Sequence, residues 1–187
     1  LKSALILYST GFFITSNRDA LHKVGQYAAD SDKFFAFNLS AVFLIQFELE
    51  AINKALVFAD CVFANEDECS AYAKTLGLEE SDRLGAAMAI CKSEKVNKAR
   101  PRMVIITQGC EPTIVVRGST DGSEPTVDHV PVDKIEKDLI VDTNGAGDSF
   151  VGGFLSAFCQ GKDVIDAVKE GNKLAGIVVQ KNGCQFE

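Results

Sequence analysis

The sequence is poor in the groups that build a metal centre. It has only two histidines, His22 and His129, and no CxxC pair among its six cysteines, so no zinc-site spacing exists. A chain of 187 residues does not need disulfide staples. Cys61, Cys69, Cys91, Cys110, Cys159 and Cys184 therefore read as reduced thiols of a cytosolic protein. Runs of like charge, low-complexity segments and internal repeats are absent as well. The most apolar stretch, residues 34–47, contains Asn38, Ser40 and Gln46 and is too short to span a bilayer. Positive charge is the scarce sign: 19 Lys and Arg stand against 26 Asp and Glu, a net charge of −7. Nucleic-acid binding depends on clustered cations and is disfavoured. A single anionic ligand is not, since it needs only a local set of donors.

What is present is an ordinary globular composition, 47% hydrophobic and 24% charged, enough to bury a core. The length predicts one domain over residues 1–187. The first residues lead directly into Ala4-Leu5-Ile6-Leu7-Tyr8. That segment has neither the basic flank nor the cleavage site of a signal peptide, and reads as a buried strand. A chain that opens inside a strand, without Met, is expected to be a piece of a longer one.

Short apolar runs alternate with longer helical patterns. Strands are predicted over 4–8, 34–37, 61–64 and 103–107, with β-like segments at 113–116 and 126–130. Helices are predicted over 17–29, 41–58 (with Ser40 as cap), 66–76, 84–95, 147–158 and 164–180. Repeated strand–helix alternation implies a mostly parallel α/β sheet with helices on both faces. Ligands in such sheets bind beyond the carboxyl ends of the strands. The loops to search lie near Gly11, Asn38, Asn65, Gly109 and Asp142.

One of these loops carries a chemical pattern. Residues 139–141 lead into Asp142-Thr143-Asn144-Gly145-Ala146-Gly147-Asp148-Ser149-Phe150, and a helical pattern opens at Gly147. Glycines in a turn that opens a helix leave N–H groups aimed outward, and the helix dipole adds positive potential: an anion site. Asp148 lies just inside. A carboxylate beside a phosphate site makes sense if it orients an acceptor hydroxyl and takes its proton. The plainer alternative is an acid in a first helical turn, where acids are favoured anyway.

The nine residues Asp142 to Phe150 match Asp-Thr-x-Gly-Ala-Gly-Asp-x-Phe, and thereby resemble the C-terminal signature of the ribokinase-like (PfkB) carbohydrate and nucleoside kinases. Seven fixed residue types arise by chance roughly once in 10⁸ to 10⁹ positions at average usage. The resemblance implies a three-layer α/β/α fold, of which this chain is the C-terminal part of the large domain. The N-terminal part and its β-lid are then missing. It implies Asp148 as catalytic base, an anion hole from the backbone of Asn144, Gly145, Ala146 and Gly147, ATP as co-substrate and magnesium as cofactor.

Further segments narrow the resemblance to the members that phosphorylate adenosine. They are Gly11-Phe12-Phe13, Asn38-Leu39-Ser40, Thr107-Gln108-Gly109, Val151-Gly152-Gly153-Phe154-Leu155 and Gly183-Cys184, in the same order. Other sugar or nucleoside kinases of the family, and a non-catalytic nucleotide-binding homologue, are the alternatives. On this resemblance Phe13 stacks on the adenine of the acceptor while Phe12 is core; from the residues alone both could be core. Asn65-x-x-Glu68 matches a motif whose Glu holds magnesium through water, and is also nearly a capping box. Thr107 and Gly109 end an apolar strand where phosphates or ribose could be met. Asn172 falls where the family contacts the ATP base, although a mid-helix Asn is more often solvated. The expected setting is cytoplasmic, with the nucleus as a second location, and the expected full-length state a monomer without membrane or nucleic-acid partners. Lid closure excludes water and positions the hydroxyl, so the 187 residues alone are expected to turn over little.

Overall fold

The structure is a computed structural model that describes residues 1–185. Apolar runs rich in β-branched and aromatic residues form β1 (Ile6–Thr10), β2 (Phe34–Asn38), β3 (Cys61–Asn65), β4 (Met103–Gln108), β5 (Glu111–Arg117) and β6 (Thr126–Val130). They lie in one sheet in that order. β1 pairs with β2 and β2 with β3, both parallel, with Ile6 opposite Phe34 and Ala36 opposite Cys61. Phe35, Ala36, Phe37, Cys61 and Val62 are fully buried, as strands covered on both faces require. Neighbouring β4 and β5 are joined by only Gly109 and Cys110, which makes them an antiparallel hairpin. Gly109 has φ +57°, the left-handed value that the first position of a type II′ turn needs.

The helices are α1 (Phe13–Asp30), α2 (Val42–Phe47), α3 (Leu49–Leu56), α4 (Glu66–Thr75), α5 (Arg83–Lys92), α6 (Ala146–Cys159) and α7 (Val164–Val178). Three of them depart from the sequence reading. α1 starts four residues earlier, at Phe13, and is kinked at Asn17, whose backbone is extended. The single helix expected over 41–58 is broken at Glu48, whose φ of −127° ends α2 and caps α3. Ser40 is not its cap. That residue has φ +68°, and its hydroxyl accepts the Gly11 N–H at 2.9 Å, so it braces the loop after β1.

The chain divides into two compact units, residues 1–106 with 115–128 and residues 107–114 with 129–187. Within the first, Asp60 is buried at the entrance to β3 and organises several elements. Its carboxylate accepts the Phe35 N–H at 2.9 Å, Lys95 Nζ at 2.6 Å and Arg100 Nη1 at 2.9 Å. Lys95, also buried, gives its other protons to the carbonyls of Asn97 and Arg100. Within the second unit, α6 and α7 pack together and bury Phe150, Phe154, Ala157, Ala167 and Val168.

Removing one partner of a buried ion pair leaves an uncompensated charge. Asp60→Ala should therefore destabilise the fold by about 3–5 kcal/mol, because Lys95 cannot reach water without unpacking. Denaturant unfolding of the full-length variant checks this; a loss under about 1 kcal/mol would mean that the pair is dispensable.

Candidate functional site

The second unit holds the loop that the sequence singled out. Leu139, Ile140 and Val141, which lead into the loop, are exposed, and Leu139 ends a 3₁₀ turn at Lys137–Leu139. Their backbone is anchored elsewhere: the Val141 and Asp142 N–H groups both donate to the Val179 carbonyl, at 2.8 and 3.2 Å. The Asp142 carboxylate then fastens the loop at two points. Oδ1 accepts the Asn144 N–H at 2.9 Å and Oδ2 accepts the Gly183 N–H at 3.2 Å. These two bonds, Asn144 first, hold its carboxyl below the usual range.

Gly145 is the N-cap of α6, with φ +77°. A side chain there would meet more than backbone strain, since a Cβ would lie 2.1 Å from the Cys184 Sγ. The thiol occupies the notch that the glycine leaves and sits 3.8 Å from the Ser149 hydroxyl. The first turn of a helix leaves N–H groups without intrahelical partners. Here the Ser149 N–H returns to Gly145 and the Ala146 N–H to Thr143. Among the described residues, no acceptor is recorded for the N–H of Gly145, Gly147 or Asp148. The open donors thus differ from those expected: Asn144 spends its N–H on Asp142, and Asp148 contributes one of its own. The Asp148 side chain lies in this first turn, exposed, with no hydrogen-bond or ion-pair partner among the described residues.

Beside the loop is a cavity of about 330 Å³. Thr107, Gly109 and Asn172, predicted separately as nucleotide contacts, all line it, together with Ala146 and Gly147. Asn172 is not the solvated mid-helix residue that its type suggests. Its Oδ1 accepts the Thr113 hydroxyl proton at 2.8 Å, and its Nδ2 donates to the Pro131 carbonyl at 3.4 Å. The apolar wall formed by Val132, Ile135, Ile140 and Val179 had no signal in the sequence, because residues 131–140 follow no helix or strand period.

The remaining predicted residues belong to the first unit. Phe13 opens α1 and is 40% exposed, free to stack on a flat ligand. Phe12, expected in the core, is 49% exposed and rests against Phe43 at 6.1 Å between ring centroids. It is the N-cap residue of α1, a position on the rim of the fold. Glu68 sits in a complete capping box. The Asn65 side chain accepts the Glu68 N–H at 2.8 Å, and Glu68 Oε2 accepts the Asn65 N–H at 3.0 Å. Among the described residues no cluster of three or more metal-ligating groups exists. A lone carboxylate with one oxygen engaged suits an ion that keeps its own waters, as magnesium does, and does not suit a tightly caged metal.

The model for pfkB family carbohydrate kinases matches residues 1–187. The chain belongs to that family. This pfkB-family chain is 43% identical over 182 residues to the adenosine kinase of Schizophyllum commune, covering 96% of itself and 52% of that protein. It is 36% identical over 186 residues to adenosine kinase 2 of Arabidopsis thaliana, with 100% and 52% covered. It thus spans about half the length of the curated relatives it matches. Its fold superimposes with a TM-score of 0.91 on Anopheles gambiae adenosine kinase in complex with P1,P4-di(adenosine-5) tetraphosphate, at 36% identity over 98% of this chain and 52% of the other. The TM-score is 0.90 for Schistosoma mansoni adenosine kinase in complex with 2-fluoroadenosine, at 30% identity over 100% and 53%. The fold is accordingly the ribokinase-like α/β fold with a mostly parallel sheet.

In this family member Glu68 also carries a pH signature. Burial pushes its carboxyl up to about 7, against the opposing Asn65 N–H and with Asp67 and Glu66 raising it further. Because the folded value lies above the ordinary 4.5, the stability this group contributes is complete below about pH 4.5. It is lost as the pH rises through 7. Glu68→Gln keeps an acceptor for the cap but cannot titrate. From pH 5 to pH 8 its stability should rise relative to wild type by about 2–3 kcal/mol. Denaturant unfolding of both full-length proteins across that range measures the difference; a constant difference would show that the carboxyl titrates normally.

Proposed function

We propose that this chain is the ATP-binding and base-carrying part of an adenosine kinase, which transfers the γ-phosphate of ATP to the adenosine 5′-hydroxyl and yields ADP and AMP. The observation that carries this reading is the meeting, in one helical turn, of three unpaired N–H donors with an unpartnered carboxylate, next to the cavity holding Thr107, Gly109 and Asn172. Names of relatives at 43% and 36% identity support adenosine as acceptor.

In the transfer, the acceptor O5′ forms its bond to the γ-phosphorus as the bond to the ADP oxygen breaks. Asp148 takes the hydroxyl proton. The N–H groups of Gly145, Gly147 and Asp148 face the charge on the transferring phosphoryl oxygens, positioned before reaction and without reorganisation. Phe13 stacks on the adenine of the acceptor, a contact worth roughly 1–3 kcal/mol in nucleic-acid systems. Glu68 would hold magnesium through water, and the ion would supply positive charge against the phosphates. The reaction salvages a purine nucleoside and is placed in the cytoplasm, in keeping with unpaired cysteines.

Asp148→Asn in the full-length protein should reduce kcat by at least about 10²–10⁴-fold with ATP affinity nearly unchanged. Turnover by quench and ATP titration by calorimetry separate the two effects; near wild-type kcat would remove Asp148 from its role. Gly147→Val should do the reverse, weakening ATP binding while the protein stays folded, because a β-branched side chain would stand over the open donors. Unchanged ATP affinity in a folded Gly147→Val protein would make the loop structural only.

A further inference from the structure

Phe13 stands in a turn that the rest of its helix does not hold. Asn17 has φ −161° and ψ 92°, extended values that interrupt α1 after Ser16. Beyond the break the helix restarts with its own cap, the Asn17 Oδ1 that accepts the Ala20 N–H at 2.9 Å. Before the break, the N-cap residue Phe12 makes no side-chain capping bond. The short turn is fastened instead through Gly11. Its carbonyl accepts the Ile14 N–H at 3.0 Å. Its N–H is shared between two oxygens of the junction after β2, the Asn38 carbonyl at 2.7 Å and the Ser40 hydroxyl at 2.9 Å.

The direction of each Ser40 bond is fixed by its partner. An N–H can only donate, so Oγ accepts from Gly11, and its own proton goes to the Asn38 carbonyl at 3.2 Å. To stand there Ser40 takes φ +68°, a left-handed conformation unfavourable for any L residue but glycine. Such a conformation persists only where the surroundings over-determine it, and these are the bonds that its side chain makes. The two junctions also meet without slack, since a Cβ on Gly11 would lie 2.5 Å from the Leu39 carbonyl oxygen.

We propose that Ser40 is a positioning residue whose hydroxyl, acting through Gly11, aims the turn that presents Phe13 to the acceptor nucleoside. This rests on the reading of Phe13 as the residue that stacks on adenine. A ring at the head of an interrupted helix binds well only if its turn is set before the ligand arrives. Without the hydroxyl the Gly11 N–H keeps the Asn38 carbonyl, so the fold loses little. What goes is the second oxygen, and with it the aim of the ring.

The test uses the full-length protein, with the KM for adenosine taken at saturating ATP and the KM for ATP at saturating adenosine. Ser40→Gly removes the hydroxyl together with the backbone strain, so its unfolding midpoint should not fall below wild type. The expected result is a KM for adenosine raised about 3- to 10-fold, with kcat and the KM for ATP within about twofold. Ser40→Ala removes the same hydroxyl but keeps the strain. It should show the same rise in KM with a lower unfolding midpoint. Phe13→Ala alone should raise the adenosine KM about fivefold or more. Adding Ser40→Gly to Phe13→Ala should raise it no further, because the ring that Ser40 aims is gone. If Phe13→Ala raises the adenosine KM but a folded Ser40→Gly protein does not, this inference is overturned and the functional reading stands. Rises that multiply in the double variant, or an equal rise in the KM for ATP, overturn it too. A Phe13→Ala protein with the wild-type adenosine KM overturns the reading of Phe13, and this inference with it.

Discussion

A helix cannot pair its own first N–H groups, and the start of α6 is built around that constraint. The chain satisfies some of these donors and leaves others open. Asn144 is tied to Asp142, Ala146 to Thr143 and Ser149 to Gly145, while Gly145, Gly147 and Asp148 keep theirs. The same Asp142 carboxylate holds the Gly183 N–H, and the Val179 carbonyl accepts two N–H groups from the residues just before the loop. The open donors are therefore aimed by bonds internal to the protein, and no ligand is needed to shape them. Preorganisation of this kind is what makes dipoles effective toward charge that appears during a reaction.

Glu68 and Asp148 both stand in the first turn of a helix, and their surroundings give them opposite uses. Glu68 is buried, closes a capping box and is raised by desolvation, so its first contribution is to hold α4. Asp148 is exposed, caps nothing and has no recorded partner among the described residues. The dipole argument that favours acids in a first turn applies to both equally and cannot tell them apart. Partners and burial do. A buried side chain already committed to a capping bond is poorly placed to accept a proton in each catalytic cycle, whereas an exposed, uncommitted one beside open donors is well placed.

Much of this was legible in the sequence where the causes are local. Apolar runs gave the strands to within a few residues, and the spacing of Asp142, the glycines and Asp148 located the loop and its helix. What escaped depends on groups far apart along the chain. The break at Glu48 interrupts an apolar pattern that reads as one helix through residue 58. Ser40 looked like a cap because its neighbours are helical, but its hydroxyl serves Gly11, 29 residues away. Asn172 looked solvated because nothing on α7 shows that Thr113, 59 residues earlier, holds it. Phe12 and Phe13 are identical in type and adjacent, and only the direction of the chain after β1 determines that both are on the rim.

The division of the chain has a chemical side. The open donors, the unpartnered carboxylate, the cavity and the gripped amide all come from residues 107–114 and 129–185, one compact unit. The residues assigned to the acceptor and to the ion, Phe13 and Glu68, come from the other. On the proposed reading, donor recognition and phosphate stabilisation fall to about a third of the chain, much of it the packed pair α6 and α7. A family that phosphorylates different acceptors can keep such a unit and vary the remainder, because nothing in the bonds that shape the loop depends on the identity of the sugar. The same logic explains why the signature around Asp148 reports the family, whereas the segments that point to adenosine are spread thinly over the rest of the sequence.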